Sequence, residues 1–169
     1  MRPLTPKVIE GRGKNAVAQL LTKKLIVPKI FFEARWPNRT TVIDVLAVDR
    51  SGAGDVHAVE IVTDAKQIDR SLATLSRVPA HFKYLALFSL HDEDKILPIF
   101  DPEADPDERL YAADGLGRVG TICLYQGHPA DALSAEVQVE PERFRVPVGL
   151  YSDIDKYVQK HTPDIAIRV

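Results

Sequence analysis

Between Thr40 and Thr63 the chain reads TTVIDVLAVDRSGAGDVHAVEIVT, two apolar runs that each carry one carboxylate where the pattern asks for an apolar side chain. Val42, Ile43, Val45, Leu46, Ala47 and Val48 surround Asp44, and Val56, Ala58, Val59, Ile61 and Val62 surround Glu60. The β-branched content and short length of both runs predict strands rather than helix. Arg50 to Gly54, between Asp49 and Asp55, supplies the turn residues. A hairpin symmetric about Gly52 sets Asp44 opposite Glu60 on one side of the sheet. Like charges directly opposite one another are destabilising, and an unpartnered buried carboxylate costs several kcal/mol. A divalent cation, a basic side chain or a shared proton that raises one pKa offsets that cost. The alternative is a register shifted by a bulge, which lets one carboxylate reach solvent.

A chain of 169 residues with 45% hydrophobic content closes a core of its own, and residues 1–169 are read as a single domain. The one cysteine, Cys123, lies in the apolar run Thr121 to Tyr125 and reads as a small buried hydrophobe, which excludes a disulfide or zinc scaffold. No apolar run reaches the length of a membrane span and no leader pattern is present, so the expectation is a soluble cytoplasmic protein with no membrane partner.

The net charge of -2 conceals an asymmetry. Residues 1–39 hold nine Lys or Arg against Glu10 and Glu33, a balance of +7, which leaves 13 positive and 22 negative charges, or -9, on residues 40–169. A basic end on an acidic body is the footprint expected of a polyanion-binding surface, and a solvated helix face gives the same count.

Thr5 before Pro6 starts a helix to about Leu25, with Ile9, Ala16, Val17, Leu20 and Leu21 on one face. Glu10 projects from that core-facing side, and it also stands at i,i+4 spacing from Lys14. Lys29 to Trp36 reads as a first strand. Asp64 and Gln67 form a capping box for a helix that carries Ile68, Leu72 and Leu75 on one side and Lys66, Arg70 and Arg77 on the other. Tyr84 to Leu90 reads as a buried strand, His91 to Asp114 as an acidic surface excursion with a short helix from Pro106 to Ala113, and Thr121 to Tyr125 as another buried strand. Weak strand patterns at Val137 to Val139 and Phe144 to Val148, and a last helix at about Asp153 to Lys160, read as peripheral packing.

Several motifs lead nowhere. Gly115 to Gly120 matches G-x-G-x-x-G, but a helical pattern precedes it and a strand follows, the reverse of the order that presents a helix N-terminus to a pyrophosphate. The glycines read instead as a helix cap and turn. The acidic excursion lacks the spacing and closing glutamate of a calcium loop. No nucleophile elbow is present, and the five histidines have no metal-ligand spacing.

The order of these elements, with IDVLAVD around Asp44, AVEIVT around Glu60, the helix that follows, YLALFS and AADGLGRVGTICLY, resembles the PD-(D/E)XK nuclease superfamily. The resemblance covers about Thr5 to Tyr125, with residues 126–169 as a peripheral C-terminal extension. It implies an α/β fold with a mixed central β-sheet flanked by helices, restriction-endonuclease-like, and a Mg-dependent (or Mn-dependent) endonuclease acting on DNA. It implies metal ligation by Asp44 and Glu60, with Glu10 as the first-helix acid. The chain departs from the pattern where Glu60-Ile61-Val62 places valine at the position of the E-x-K lysine. Lys66, in the first turn of the next helix, is the candidate for a migrated lysine. A valine supplies neither charge nor proton, so low or lost cleavage is expected, and Val62→Lys is expected to raise it. Two alternatives stand beside this reading. One is a non-catalytic nucleic-acid-binding or assembly subunit that keeps the fold; the other is an unrelated binding domain whose strand carboxylates pair with Arg35 or Arg39. The sequence leaves the oligomeric state open, a homodimer included.

Overall fold

The computed structural model describes residues 6–50, 54–88, 90–92, 95–97, 117–126 and 133–166. A helix α1 (Pro6–Lys24) leads into three antiparallel strands, β1 (Pro28–Arg35), β2 (Val42–Asp49) and β3 (Val56–Val62). A 3-10 turn (Ala65–Gln67) and helix α2 (Ile68–Ser76) carry the chain over to β4 (Phe82–Phe88), which lies parallel to β3. The parallel pairing requires this crossover, because a tight turn joins only antiparallel strands. A small hairpin of β5 (Leu90–Asp92) and β6 (Lys95–Leu97) follows. The chain then gives β7 (Gly120–Gln126), β8 (Leu133–Val139), α3 (Leu150–Lys160) and β9 (Ile165–Ala166). The main sheet is mixed and seven-stranded, in the order β8-β7-β4-β3-β2-β1-β9.

Both faces of the sheet are covered, which is why every residue of β3 is buried and its sequence reads as a continuous apolar run. On one face Leu46, Val48, Ala58, Val62, Leu85 and Leu87 meet Ile68 and Leu75 of α2 and Leu150, Ile154 and Val158 of α3. On the other, Ile30, Val45, Val59, Ile61, Ile122 and Leu124 meet Ala16, Val17, Ala18 and Leu21 of α1. Each large aliphatic side chain buried this way contributes about 1.5–3 kcal/mol. At Gly13 a Cβ would stand 3.1 Å from Leu124 Cδ1, so the missing side chain lets α1 lie close to the sheet just where Glu10 and Lys14 flank it.

The hairpin has the register that symmetry about Gly52 predicts. Val45 pairs with Val59, Leu46 with Ala58, Ala47 with His57 and Val48 with Val56. The irregularity lies on the other side of β2. The β1–β2 ladder runs through Phe32↔Val45 and resumes at Ala34↔Ile43, and the step between them belongs to Glu33 and Asp44. Glu33 there has φ of 48°, a left-handed backbone rare outside glycine and Asn or Asp.

Three expectations need correction. Residues 126–169 are not peripheral: β8 extends the main sheet, and α3 places Leu150, Ile154, Tyr157 and Val158 in the core. The weak strand signal has a physical reason, since β8 is only half-buried along its length. Phe144 to Val148 is no strand; Phe144 N–H donates to the His81 carbonyl, Phe144 and Val146 pack on the core, and Pro147 has no N–H to give a ladder. The last helix begins at Leu150, three residues before the predicted start, behind Gly149 at φ 93°. The short helix predicted from Pro106 to Ala113 lies outside the described residues, as do Gly115 and Leu116. Gly117 to Gly120 lead directly into β7, as the reversed order of that motif requires.

Candidate functional site

Because β2 and β3 run antiparallel, the start of one and the end of the other lie at the same end of the sheet, with the first turns of α1 and of α2 on either side. Together they enclose a cleft of about 470 Å³. Lys7 and Glu10 line it from α1, Val42 and Asp44 from β2, Glu60, Ile61 and Thr63 from the end of β3, and Gln67, Arg70, Ser71 and Thr74 from α2 and its lead-in. Asp44, Glu60 and Glu10 are therefore brought together. Glu10 takes both parts foreseen for it: it lines the cleft, and it pairs with Lys14 at 3.7 Å.

Asp44 is held by the backbone. Its Oδ2 accepts the Ile61 N–H at 2.8 Å, which ties the carboxylate to the strand residue next to Glu60. Glu60 is buried, and burial, the hydrogen bond and charge of Asp44 and the charge of Glu10 push its carboxyl far above the ordinary carboxylate range. Arg70 opposes this shift only in part. Without a cation, the raised pKa favours the neutral form of Glu60 beside Asp44. Among the described residues neither Arg35 nor Arg39 pairs with these carboxylates, and the Arg35 guanidinium instead donates to the Arg39 carbonyl at 2.7 Å.

Two carboxylates of this kind suit magnesium or manganese, which take oxygen ligands and retain several waters. Among the described residues no three His, Cys, Asp or Glu side chains converge as a cage for an ion. A cation here would take one or two carboxylates and fill its remaining positions with water.

The two lysine positions singled out by the sequence lie outside the cleft. Lys66 is exposed on the 3-10 turn, where its N–H donates to Asp64 Oδ1 at 3.0 Å, and it does not line the cleft. Val62, at the E-x-K position, is fully buried in the layer beneath α2 and α3. A lysine stem at residue 62 would have to leave that layer before its ammonium met the carboxylates, so the expectation that Val62→Lys repairs the site meets a packing obstacle. The capping pattern also differs: Gln67 Oε1 accepts from Thr63 N–H and Oγ1 at 3.2 Å, not from the Asp64 backbone. Arg70, expected on a solvated basic face, lines the cleft, as do Lys7, Gln67, Ser71 and Thr74, which carry no site signal in the sequence motifs. The i,i+4 spacing from Gln67 to Ser71 and from Arg70 to Thr74 is the signal that these four share one helix side.

At the opposite end of β3, His57 is buried between the rings of Phe82 and Tyr84, at centroid distances of 4.9 and 6.1 Å. His81 anchors the start of β4, its Nδ1 accepting the Val56 N–H at 2.9 Å, while Arg143 grips Asp55 with both terminal nitrogens at 2.9 and 3.1 Å. These contacts fasten the segment around Phe144 to the sheet.

No protein-family model matches the chain, and no curated protein does. A solved structure of a protein of unknown function from Silicibacter pomeroyi is similar in fold, with a TM-score of 0.58 and 17% identity over 95% of this chain and 88% of that one. The fold class is thus a mixed α/β sheet of seven strands with helices on both faces. That likeness concerns fold alone. Among the described residues no helix is long and apolar enough to cross a membrane.

Proposed function

We propose that this chain is a PD-(D/E)XK-like protein, a metal-dependent DNA phosphodiester hydrolase of low or lost activity, with its site in the cleft of Asp44, Glu60 and Glu10. The observation that carries this reading is the cleft itself: it gathers these three acids from three elements and sets two basic side chains, Lys7 and Arg70, among the same lining residues. Acidic groups alone would repel a phosphodiester; a cation and flanking guanidinium or ammonium groups make such a cleft attractive to one.

Asp44 and Glu60 would hold the ion. When bound, magnesium or manganese would polarise a phosphate oxygen and acidify a water. The residues of the chain do the rest. The Ile61 N–H keeps Asp44 oriented toward the cleft, and Glu60 gives up the proton that it holds in the cation-free protein. Arg70 offers paired donors to phosphate oxygens, and Lys7 a second positive charge. What the cleft lacks is a lysine beside Glu60, so proton removal from an attacking water has no dedicated base.

The second reading, a nucleic-acid-binding or assembly subunit without catalysis, is favoured by the burial of Val62 at the lysine position. One experiment addresses both. Duplex DNA binding followed by anisotropy should weaken by on the order of tenfold or more between about 50 and 200 mM salt, and Lys7→Glu with Arg70→Glu should weaken it further. Slow nicking of plasmid with Mn²⁺ that disappears in Asp44→Ala selects the enzyme; binding without nicking selects the subunit. Salt-independent binding, or none at low salt, overturns both.

A further inference from the structure

Glu10, Asp44 and Glu60 line the cleft together with Lys7 and Arg70, and a second ammonium, that of Lys14, stands outside the lining between Glu10 and Glu33. Lys14 Nζ lies 2.8 Å from Glu33 Oε1 and 3.7 Å from Glu10 Oε1. Its side chain is only 12% exposed, against 67% for Glu33 and 45% for Glu10, so the cation is the inner member of the group and its partners are the outer ones. Ordinary surface ion pairs have both partners in water and contribute little. This one is walled in from the side of the sheet.

The position has been built from two directions. Gly13 lets α1 approach the sheet, which brings the next residue, Lys14, down beside the strands. Glu33 holds the ammonium from β1, at the one step where the β1–β2 ladder is interrupted and its own backbone is left-handed, and the residue across that step is Asp44. The Asp44 charge reaches Lys14 as well. Burial acts to lower the Lys14 pKa, but the hydrogen bond and charge of Glu33 and the charges of Glu10 and Asp44 outweigh it and hold the pKa above the ordinary lysine value. Lys14 does not line the cleft. It stands behind the cleft's acids.

We propose that Lys14 is the resident counter-cation of the cleft: a positioning residue that lets Glu10 and Asp44 remain together without a metal, and whose charge opposes entry of a divalent cation. The second half rests on the metal reading of the cleft, and the first does not. This role differs from that of a lysine beside Glu60, since Lys14 meets no substrate. A charge at the back of the site weakens the field that draws a cation in, and it removes the cost of keeping the acids in place when no cation is bound.

The test is a thermodynamic cycle by thermal unfolding in EDTA, using the natural protein, Lys14→Met, Asp44→Asn and the double variant. Asparagine keeps the acceptor for the Ile61 N–H but turns the other oxygen into a donor toward Glu60, so the readout is the coupling between residues 14 and 44 rather than either single loss. Lys14→Met should lower the melting temperature by several degrees, and Asp44→Asn should recover a measurable part of that loss in the double variant. Additive losses would reduce Lys14 to a tie between α1 and Glu33 and overturn the proposal. If Lys14→Met does not fold, Lys14→Gln takes its place in the same cycle. Calorimetric titration with Mn²⁺ gives the second readout: Lys14→Met should bind several-fold more tightly than the natural protein, and Lys14→Arg should bind like it. Equal or weaker binding by Lys14→Met overturns the opposition. Absence of Mn²⁺ binding in the natural protein and in Lys14→Met alike overturns the metal reading, and with it the opposition, while the coupling in EDTA tests the compensation independently.

Discussion

Asp44 on β2 and Ile61 on β3 are joined by a hydrogen bond from the Ile61 N–H to Asp44 Oδ2 of 2.8 Å, so a side chain supplies a contact in the region where the strands' own ladder has ended. The bond fixes the carboxylate beside Glu60 and satisfies a buried backbone donor at the same time. It also explains why two acids can occupy adjoining internal strands: one is held as an acceptor by the backbone, and the other keeps its proton.

Removing the ionisation of Glu60, which the unfolded chain undergoes more readily than the folded one, should therefore stabilise the cation-free protein. The folded pKa of Glu60 is raised above its ordinary 4.5, first by burial and then by Asp44, so its contribution to stability is complete below pH 4.5 and declines as pH rises toward the folded value. In EDTA the natural protein should lose stability from about pH 5 to about pH 8 relative to Glu60→Gln, which cannot ionise. The variant should melt higher at the upper pH and show no stabilisation by Mn²⁺. Melting curves across the range check both, and undiminished stabilisation of Glu60→Gln by Mn²⁺ would sink the shared site.

His57 should produce the opposite slope. Burial first, against the weaker pull of Asp55 and Asp49, lowers its pKa from 6.5 to about 4. The unfolded chain then binds the extra proton between those values, so stability is present above pH 6.5 and lost as pH falls toward 4, by on the order of 3 kcal/mol. His57→Phe keeps a ring between Phe82 and Tyr84 without the titration. Urea unfolding at neutral and acidic pH should show a smaller acid loss in the variant; identical losses would mean that other groups carry the acid sensitivity.

Val62→Lys should destabilise rather than activate. Val62 is fully buried among apolar side chains, and an ammonium placed there loses hydration unless its stem reaches the cleft. A cost on the order of 3 kcal/mol is expected. Urea unfolding together with a plasmid assay decides it: near-natural stability with a gain in Mn²⁺-dependent nicking would show that the stem does reach Glu60 and would reverse this reading of the position.

The elements that determine their own shape were legible in the sequence. α1 and β1 to β3 fall within a residue or so of where the sequence predicts them, β4 begins at Phe82 rather than Tyr84 and leaves Leu90 to β5, and the register that brings Asp44 near Glu60 follows from turn symmetry and the two-residue period of a strand. These are local properties, set by residues close together in the chain. The tertiary structure decided the rest. Lys14 meets Glu33 across 19 residues because Gly13 lets a helix approach a sheet, a contact that no spacing rule contains. Whether Val62 faces a cleft or a core depends on what α2 and α3 place over that side of β3, and α3 arrives from the far end of the chain. Likewise Arg70 looks like one more charge on a solvated helix until the opposing wall of α1 makes its surroundings a cleft. The sequence by itself determined which residues alternate along each strand; the packing of distant elements determined which of them share water, and so which acids and bases act together.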